Sequence, residues 1–131
     1  MTWLQRITLV LGASLLAPGL WAADLAGIWQ NEEQPAWIEV VFVEGGGTGV
    51  VRRNDNKPES VGRELLQGIT ITEDVGSWQA QIYAERLKEY KAAVITLPEP
   101  DRMQIVVKVG FMSKTVYWKR VAGLPAAESD H

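Results

Sequence analysis

Eight short runs rich in β-branched and aromatic residues, each bounded by turn residues, constrain the fold of this chain more than any other feature. Within the runs apolar and polar side chains alternate with a period of two, which is typical of β-strands. Glycine, proline, asparagine and aspartate in the connections supply the backbone conformations that tight turns need. The predicted strands cover residues 27–31, 36–44, 48–53, 65–72, 77–84, 90–97, 103–110 and 115–121.

The short connections between successive runs predict an antiparallel meander. We therefore expect an all-β fold, a small eight-stranded up-and-down barrel, because closure removes the exposed edges of an open sheet. Small residues such as Ala80, Ala84 and Ala92 recur on faces that also carry large side chains. An eight-stranded barrel can be filled by its own side chains or can hold one small ligand. The sequence leaves both outcomes open.

The first 22 residues have the pattern of a secretory signal peptide. Arg6 precedes an apolar run at residues 7–16, which is too short to span a bilayer, and Ala22 offers a cleavage site after Pro18. We expect a periplasmic protein without a membrane anchor after cleavage. The predicted organisation is a signal peptide at residues 1–22, a β-barrel domain at 23–121 and a disordered tail at 122–131.

Composition limits the chemistry that the domain can perform. Arg6 is the only charge in the predicted signal peptide, so the net charge of −3 becomes about −4 after cleavage, which argues against a nucleic-acid partner. Cysteine is absent, and the single histidine is His131, the last residue. The domain therefore lacks the commonest general base, the commonest metal ligand and any thiol. We expect neither a metal nor a cofactor.

Three residues at the two ends of the predicted sheet form a candidate structural clasp. Gly27 and Trp29 lie in the first strand, and Arg120 lies in the last. If the sheet closes, these strands become neighbours, and the guanidinium of Arg120 can lie over the Trp29 indole. Such a cation–π contact contributes about 1 kcal/mol and would plug one end of the barrel.

This Gly-x-Trp…Arg arrangement resembles the signature of the lipocalin and calycin proteins. Over residues 24–121 the chain also resembles the exported bacterial family known as domain of unknown function 2147. The matching segments are residues 27–29, 38–40, 62–66, 78, 82–83, 90–92, 107–110 and 118–120. The resemblance implies a lipocalin-like barrel and export, and it leaves the activity open. The family's usual pair of cysteines is missing from this chain.

Aromatic and apolar side chains in the later strands suggest a binding site for a small apolar or amphipathic molecule. We expect Arg63 and Lys91 to meet an anionic group of such a ligand. The apolar residues expected to line the site are Trp78, Ile82, Tyr90, Val94, Phe111 and Tyr117.

Two alternatives remain open from the sequence. The first is a non-enzymatic module that docks an envelope protein, which a filled interior with an exposed apolar patch would favour. The second is a carboxylate-based enzyme, for which Glu39 is the best candidate because Trp37 and Val41 share its face of the strand. The glycine-rich segment at residues 45–49 lacks the residues that follow a phosphate-binding loop, so we interpret it as a hairpin turn.

Overall fold

A computed structural model describes residues 24–126. It contains eight antiparallel strands and one short 3₁₀ helix, and none of the helices in the described part is long and apolar enough to cross a membrane. The strands are β1 (Gly27–Asn31), β2 (Ala36–Val43), β3 (Gly46–Asn54), β4 (Glu64–Ile71), β5 (Ser77–Ala84), β6 (Glu89–Glu99), β7 (Arg102–Val109) and β8 (Met112–Val121), with the 3₁₀ helix at Pro58–Ser60.

The sheet closes into an up-and-down barrel in sequence order, which confirms the predicted fold. Each strand pairs with its neighbour along the chain, and β1 pairs with β8 so that Trp29 lies opposite Arg120. Because the ring is complete, neither the first nor the last strand is left as a free edge along its paired length.

Alternation along the strands places the core inside the ring. Trp29 in β1, Trp78 in β5 and Trp118 in β8 are all buried on the inner face, and aliphatic side chains fill the space between them. The largest fully buried side chains besides Trp29 are Leu25, Ile38, Leu66, Ile69, Ile95, Met103, Ile105 and Val40. The interior is therefore a packed core rather than an open channel.

The glycine-rich segment begins with the β2–β3 hairpin turn, which confirms its interpretation, and it continues beyond the turn into β3. The turn ends before Gly46, where β3 begins. Gly47 and Gly49 lie in β3, opposite Phe42 and Val40. A Cβ at Gly47 would lie 2.7 Å from the Phe42 ring, and one at Gly49 would lie 3.0 Å from Leu66. These glycines leave the volume that the two large side chains occupy.

The turn between β5 and β6 contains the one non-glycine residue with a positive φ in the described part of the chain. Lys88 has a φ of 56°, and its backbone N–H donates to the Ala84 carbonyl at 2.8 Å. This left-handed conformation brings the Cβ of an L-residue close to its own carbonyl oxygen, a strain of about 1–2 kcal/mol. Glycine avoids the strain because it has no Cβ.

We expect Lys88→Gly to raise the free energy of unfolding by about 0.5–1 kcal/mol, since relief of the strain outweighs the extra freedom of glycine in the unfolded chain. Urea denaturation followed by tryptophan fluorescence measures the change. Leu87→Gly is the matched control: Leu87 has no positive φ, so glycine there should lower stability. Equal effects of the two substitutions would contradict this account of the turn.

Candidate functional site

The two ends of the barrel differ in how they are covered. At one end, residues 24–26 and the Arg120 side chain lie beside the turns β2–β3, β4–β5 and β6–β7. At the other end lie the β1–β2 hairpin, the 3₁₀ segment and the turns β5–β6 and β7–β8. We call these the closed end and the open end.

Arg120 fastens the closed end through its whole guanidinium group. The guanidinium carbon lies 4.3 Å from the centre of the Trp29 ring, and Nη1 donates to the Ala26 carbonyl at 2.9 Å. Nη2 donates to the carbonyls of Asp24 and, at 3.2 Å, of Pro100. One side chain thus ties the N-terminal segment and the β6–β7 turn to the same indole.

Two further contacts complete the clasp. The Trp29 indole N–H donates to the Leu25 carbonyl at 3.0 Å, so this buried donor is satisfied. Gly27 has a φ of 131°, and a Cβ at this position would lie 3.1 Å from Nη1 of Arg120. Glycine is therefore required beside the guanidinium for both backbone and packing reasons.

At the open end the wall of the barrel is uneven. β1 pairs with β8 only from Trp118 to Val121, whereas β8 pairs with β7 as far as Met112. The hairpin of β7 and β8 therefore extends past the end of β1, together with the start of β6. We call this extension, residues 89–91 and 109–114, the lip.

The inner face of the lip combines apolar and cationic side chains. Val109 and Met112 are cross-strand partners there and are 37% and 66% exposed. Lys114 lies opposite Val107, and Lys91 lies opposite the buried Ile82. Each lysine on this face is thus the cross-strand partner of an apolar residue at the top of the core. Lys91 forms an ion pair with Glu89 at 2.9 Å.

Arg63 is held on the outer side of the open end, so it is not available as the predicted anion-binding group. It contacts Glu85 at 2.8 Å and lies 4.6 Å from the centre of the Tyr83 ring. Lys57 also contacts Glu85, at 3.1 Å. Chiefly through the Lys57 hydrogen bond, and further through the charge of Arg63, these cations hold the pKa of Glu85 below its ordinary value.

The prediction that Tyr90 and Val94 line the interior with Trp78 and Ile82 is wrong. Trp78 and Ile82 are buried on the inner face, but Trp78 pairs with Ile95 and not with Val94. The inner face of β6 is therefore the odd-numbered one. Tyr90 lies on the outer face against Tyr83, with the ring centres 5.3 Å apart.

The prediction that Phe111 and Tyr117 line the same cavity is also wrong. Phe111 is at the β7–β8 turn and is 99% exposed. Tyr117 lies on the outer face of β8, where Arg102 covers its ring at 3.9 Å. Glu32 accepts two hydrogen bonds from that guanidinium, and they raise the pKa of Arg102.

Two buried donors in the barrel interior lack acceptors among the described residues. They are the indole N–H groups of Trp78 and Trp118. A buried N–H without an acceptor costs about 1–3 kcal/mol, so an acceptor that reached either indole would be stabilised. The sequence pattern could not reveal these two indole N–H groups without acceptors. Their lack of an acceptor depends on which side chains surround each indole in the assembled barrel.

The described residues offer little support for the carboxylate-based enzyme. Glu39 lies on the outer face of β2 and forms an ion pair with Arg52 at 3.0 Å. Within residues 24–126 the one buried polar residue is Ser60, so no carboxylate of this part of the chain is buried. Nor do three acidic or histidine side chains there converge on a position that could hold a metal.

Two clefts within residues 24–126 lie outside the barrel core. One runs between the end of β3 and the C-terminal segment, and its lining includes Arg53 and Leu124. The other lies beside the clasp, between Asp24 and the β6–β7 turn.

Sequence reasoning missed Lys114, Val109 and Met112 as components of this site. A detectable signal existed, because counting back in steps of two from Trp118 reaches Lys114 and Met112 on the same face. The sequence did not show that β8 continues past the end of β1. The last strand was expected to begin at residue 115, whereas β8 begins at Met112.

Comparison with known proteins supports the fold assignment. No family model matches the chain, and a search of curated proteins finds no matching sequence. Among solved structures the barrel is similar to a protein whose description reads "Protein HP1028 from the human pathogen Helicobacter pylori belongs to the lipocalin family". The TM-score is 0.58 at 18% sequence identity, and the match covers 75% of this chain and 83% of that one. The likeness defines a lipocalin-like barrel.

We expect Arg120→Ala to lower the free energy of unfolding by about 1–2 kcal/mol, because it removes the cation–π contact and leaves backbone carbonyls without their donor. Chemical denaturation measures the loss. Asp101→Ala is the matched control. Its carboxylate is 81% exposed and lies 3.4 Å from the same guanidinium, so stability should change by less than about 0.5 kcal/mol. An Arg120→Ala variant as stable as the parent would refute the clasp.

Proposed function

We propose that this lipocalin-like barrel binds a small amphipathic molecule with an anionic head group on the inner face of the lip. The observation that carries the proposal is the placement of Lys91 and Lys114 beside the exposed apolar pair Val109 and Met112. A lysine ammonium is suited to a carboxylate or phosphate, and the apolar pair is suited to a hydrocarbon tail.

The packed interior determines how such a ligand lies. Because aromatic and aliphatic side chains fill the barrel, the tail lies along the lip and against Val107 and Ile82 at the top of the core. Burial contributes about 0.8 kcal/mol for each CH₂ group, and association costs at least several kcal/mol. About eight buried methylenes contribute about 6 kcal/mol, so a dissociation constant of about 10–100 μM is the tightest that the tail alone allows, and the cost of association moves the value toward the millimolar range.

The charge at this site favours an anionic ligand over a cationic one. Lys114 has no ion-pair partner among the described residues, and Glu89 is already engaged by Lys91. An anionic head would gain two ammonium partners, whereas a cationic head would meet two like charges. Because the closed end is fastened by Arg120, the ligand must approach from the open end.

A filled interior also supports the second candidate function, a module that docks an envelope protein. The specific observation is the exposed Phe111 at the β7–β8 turn, a residue type that is enriched at the centres of protein interfaces. The two candidates differ in a measurable way, since saturable binding of a small amphiphile is required only by the first.

We further propose that the protein works in the periplasm and that residues 1–22 are removed on export. This proposal rests on the sequence pattern, because residues 1–23 lie outside the described part of the chain. Intact-mass measurement after expression of the full gene in a bacterium should find a chain that begins at Ala23 or within two residues of it, in the periplasmic fraction. Recovery of the chain with Met1 retained in the cytoplasm would contradict export.

We expect dodecanoate to change the tryptophan emission of the chain from residue 23 onward in a saturable manner, with a dissociation constant between about 10 μM and 1 mM. Dodecyltrimethylammonium, which has the same tail and the opposite charge, should bind at least about tenfold more weakly. Both titrations are kept below the critical micelle concentration.

Lys114→Glu should weaken dodecanoate binding by about tenfold, because it replaces an attractive charge by a repulsive one. Lys119→Glu is the matched control: it makes the same change of net charge on the outer face of the same strand. An equal loss in both variants, or no saturable binding below about 1 mM, would exclude the lip as the ligand site.

A further inference from the structure

Two neighbouring turns at the open end carry apolar side chains outward. Phe111 is 99% exposed and Met112 is 66% exposed in the β7–β8 hairpin, and Leu87 is 48% exposed in the β5–β6 turn. The two hairpins are adjacent because β6 pairs with β7. An exposed phenylalanine beside two further exposed apolar residues forms an apolar patch, and such patches mark interaction sites on protein surfaces.

Cationic side chains without ion-pair partners surround these apolar residues. Arg86 and Lys88 flank Leu87, and Lys108 precedes Phe111 by three residues. None of these three has an ion pair within residues 24–126. The nearby carboxylates Glu85 and Glu89 are already engaged by other cations.

The opposite end of the barrel is acidic. The turns there carry Glu44, Glu73 and Asp74, and the β6–β7 turn adds Glu99 and Asp101. The two guanidinium groups near them are already engaged, that of Arg120 in the clasp and that of Arg102 in its ion pair with Glu32. Cations without ion pairs are therefore gathered at the β5–β6 and β7–β8 turns, and an anionic surface would attract these two turns while repelling the acidic end.

We propose that residues 86–88, 108 and 111–112 form a docking surface for a membrane that contains anionic phospholipids. Phe111, Met112 and Leu87 enter the interfacial region, and the basic side chains reach the lipid phosphates. The complementary charge selects a lipid surface rather than the same end of a second copy of this chain, because that end would present the same cations. In this orientation the inner face of the lip opens toward the lipid.

This inference goes beyond ligand binding and does not rest on it. The docking surface shares Met112 with the ligand site but excludes Lys91, Lys114 and Val109, and the test contains no fatty acid. Binding of dodecanoate without binding to vesicles would support the ligand proposal alone. Binding to vesicles without binding of dodecanoate would support the membrane proposal alone.

Flotation with vesicles tests the docking surface directly, using the chain from residue 23 onward, which contains the complete barrel. We expect binding to vesicles of phosphatidylglycerol and phosphatidylcholine in equal amounts, little binding to phosphatidylcholine alone, and loss of binding as NaCl is raised. Phe111→Ser should lower the partition coefficient by about tenfold, and Phe111→Leu should retain most of it.

Two controls lie outside the docking surface. Val75→Ser removes an apolar side chain that is 75% exposed in the β4–β5 turn at the closed end, and it should leave binding unchanged. Lys108→Glu should weaken binding by about fivefold, whereas Lys119→Glu on the side of the barrel should have less than half that effect. Thermal unfolding checks that every variant folds.

Three results would overturn the proposal. The first is equal binding to neutral and anionic vesicles, and the second is an equal loss of binding for Val75→Ser and Phe111→Ser. The third is no vesicle binding, together with a dimer in gel filtration that Phe111→Ser dissociates, which would assign the apolar turns to contact between two copies of the chain.

Discussion

An eight-stranded sheet has two free edges, and this chain removes them by pairing its first strand with its last. β1 is only five residues long, so the seam rests on four paired positions, from Ile28↔Val121 to Asn31↔Trp118. Arg120 strengthens the seam from the side, since its guanidinium covers Trp29 and donates to carbonyls on both sides of the closure. The packing of the other inner side chains depends on this closure, because an open sheet of the same strands would leave one face in water.

Because β1 is short, it limits the number of β1–β8 paired positions and also leaves the wall of the barrel uneven at the open end. β8 runs past the point where β1 stops, and the resulting lip carries inner-face residues that have no facing wall. Side chains that would be core in a taller barrel, such as Val109 and Met112, are there partly exposed beside lysines. A barrel whose interior is packed with side chains can therefore still present an apolar and cationic surface at its open end. The ligand proposal and the membrane proposal share Met112 and otherwise use different residues of this end of the barrel.

Most of the fold could be predicted from local pattern, whereas most of the site could not. Strand positions, the closed order and the neighbours Trp29 and Arg120 follow from alternation, turn residues and the need to remove edges. The inner face of β6 could not be assigned, because the even face with Val94 and the odd face with Ile95 are almost equally apolar. The length of the β5–β6 turn settles it by placing Tyr83 opposite Tyr90. The role of Lys114 depends on the relative lengths of β1 and β8, a property of the assembled barrel rather than of any segment.

The central claim is that one end of this barrel is fastened and that the other end receives the ligand. Backbone amide chemical shifts, recorded by NMR during a dodecanoate titration, test it most directly because they report on both ends at once. The account predicts saturable shifts at Lys91, Val107, Val109 and Lys114, with little change from Asp24 to Trp29 or at Arg120. Shifts concentrated around the clasp, or spread evenly over both ends, would contradict it.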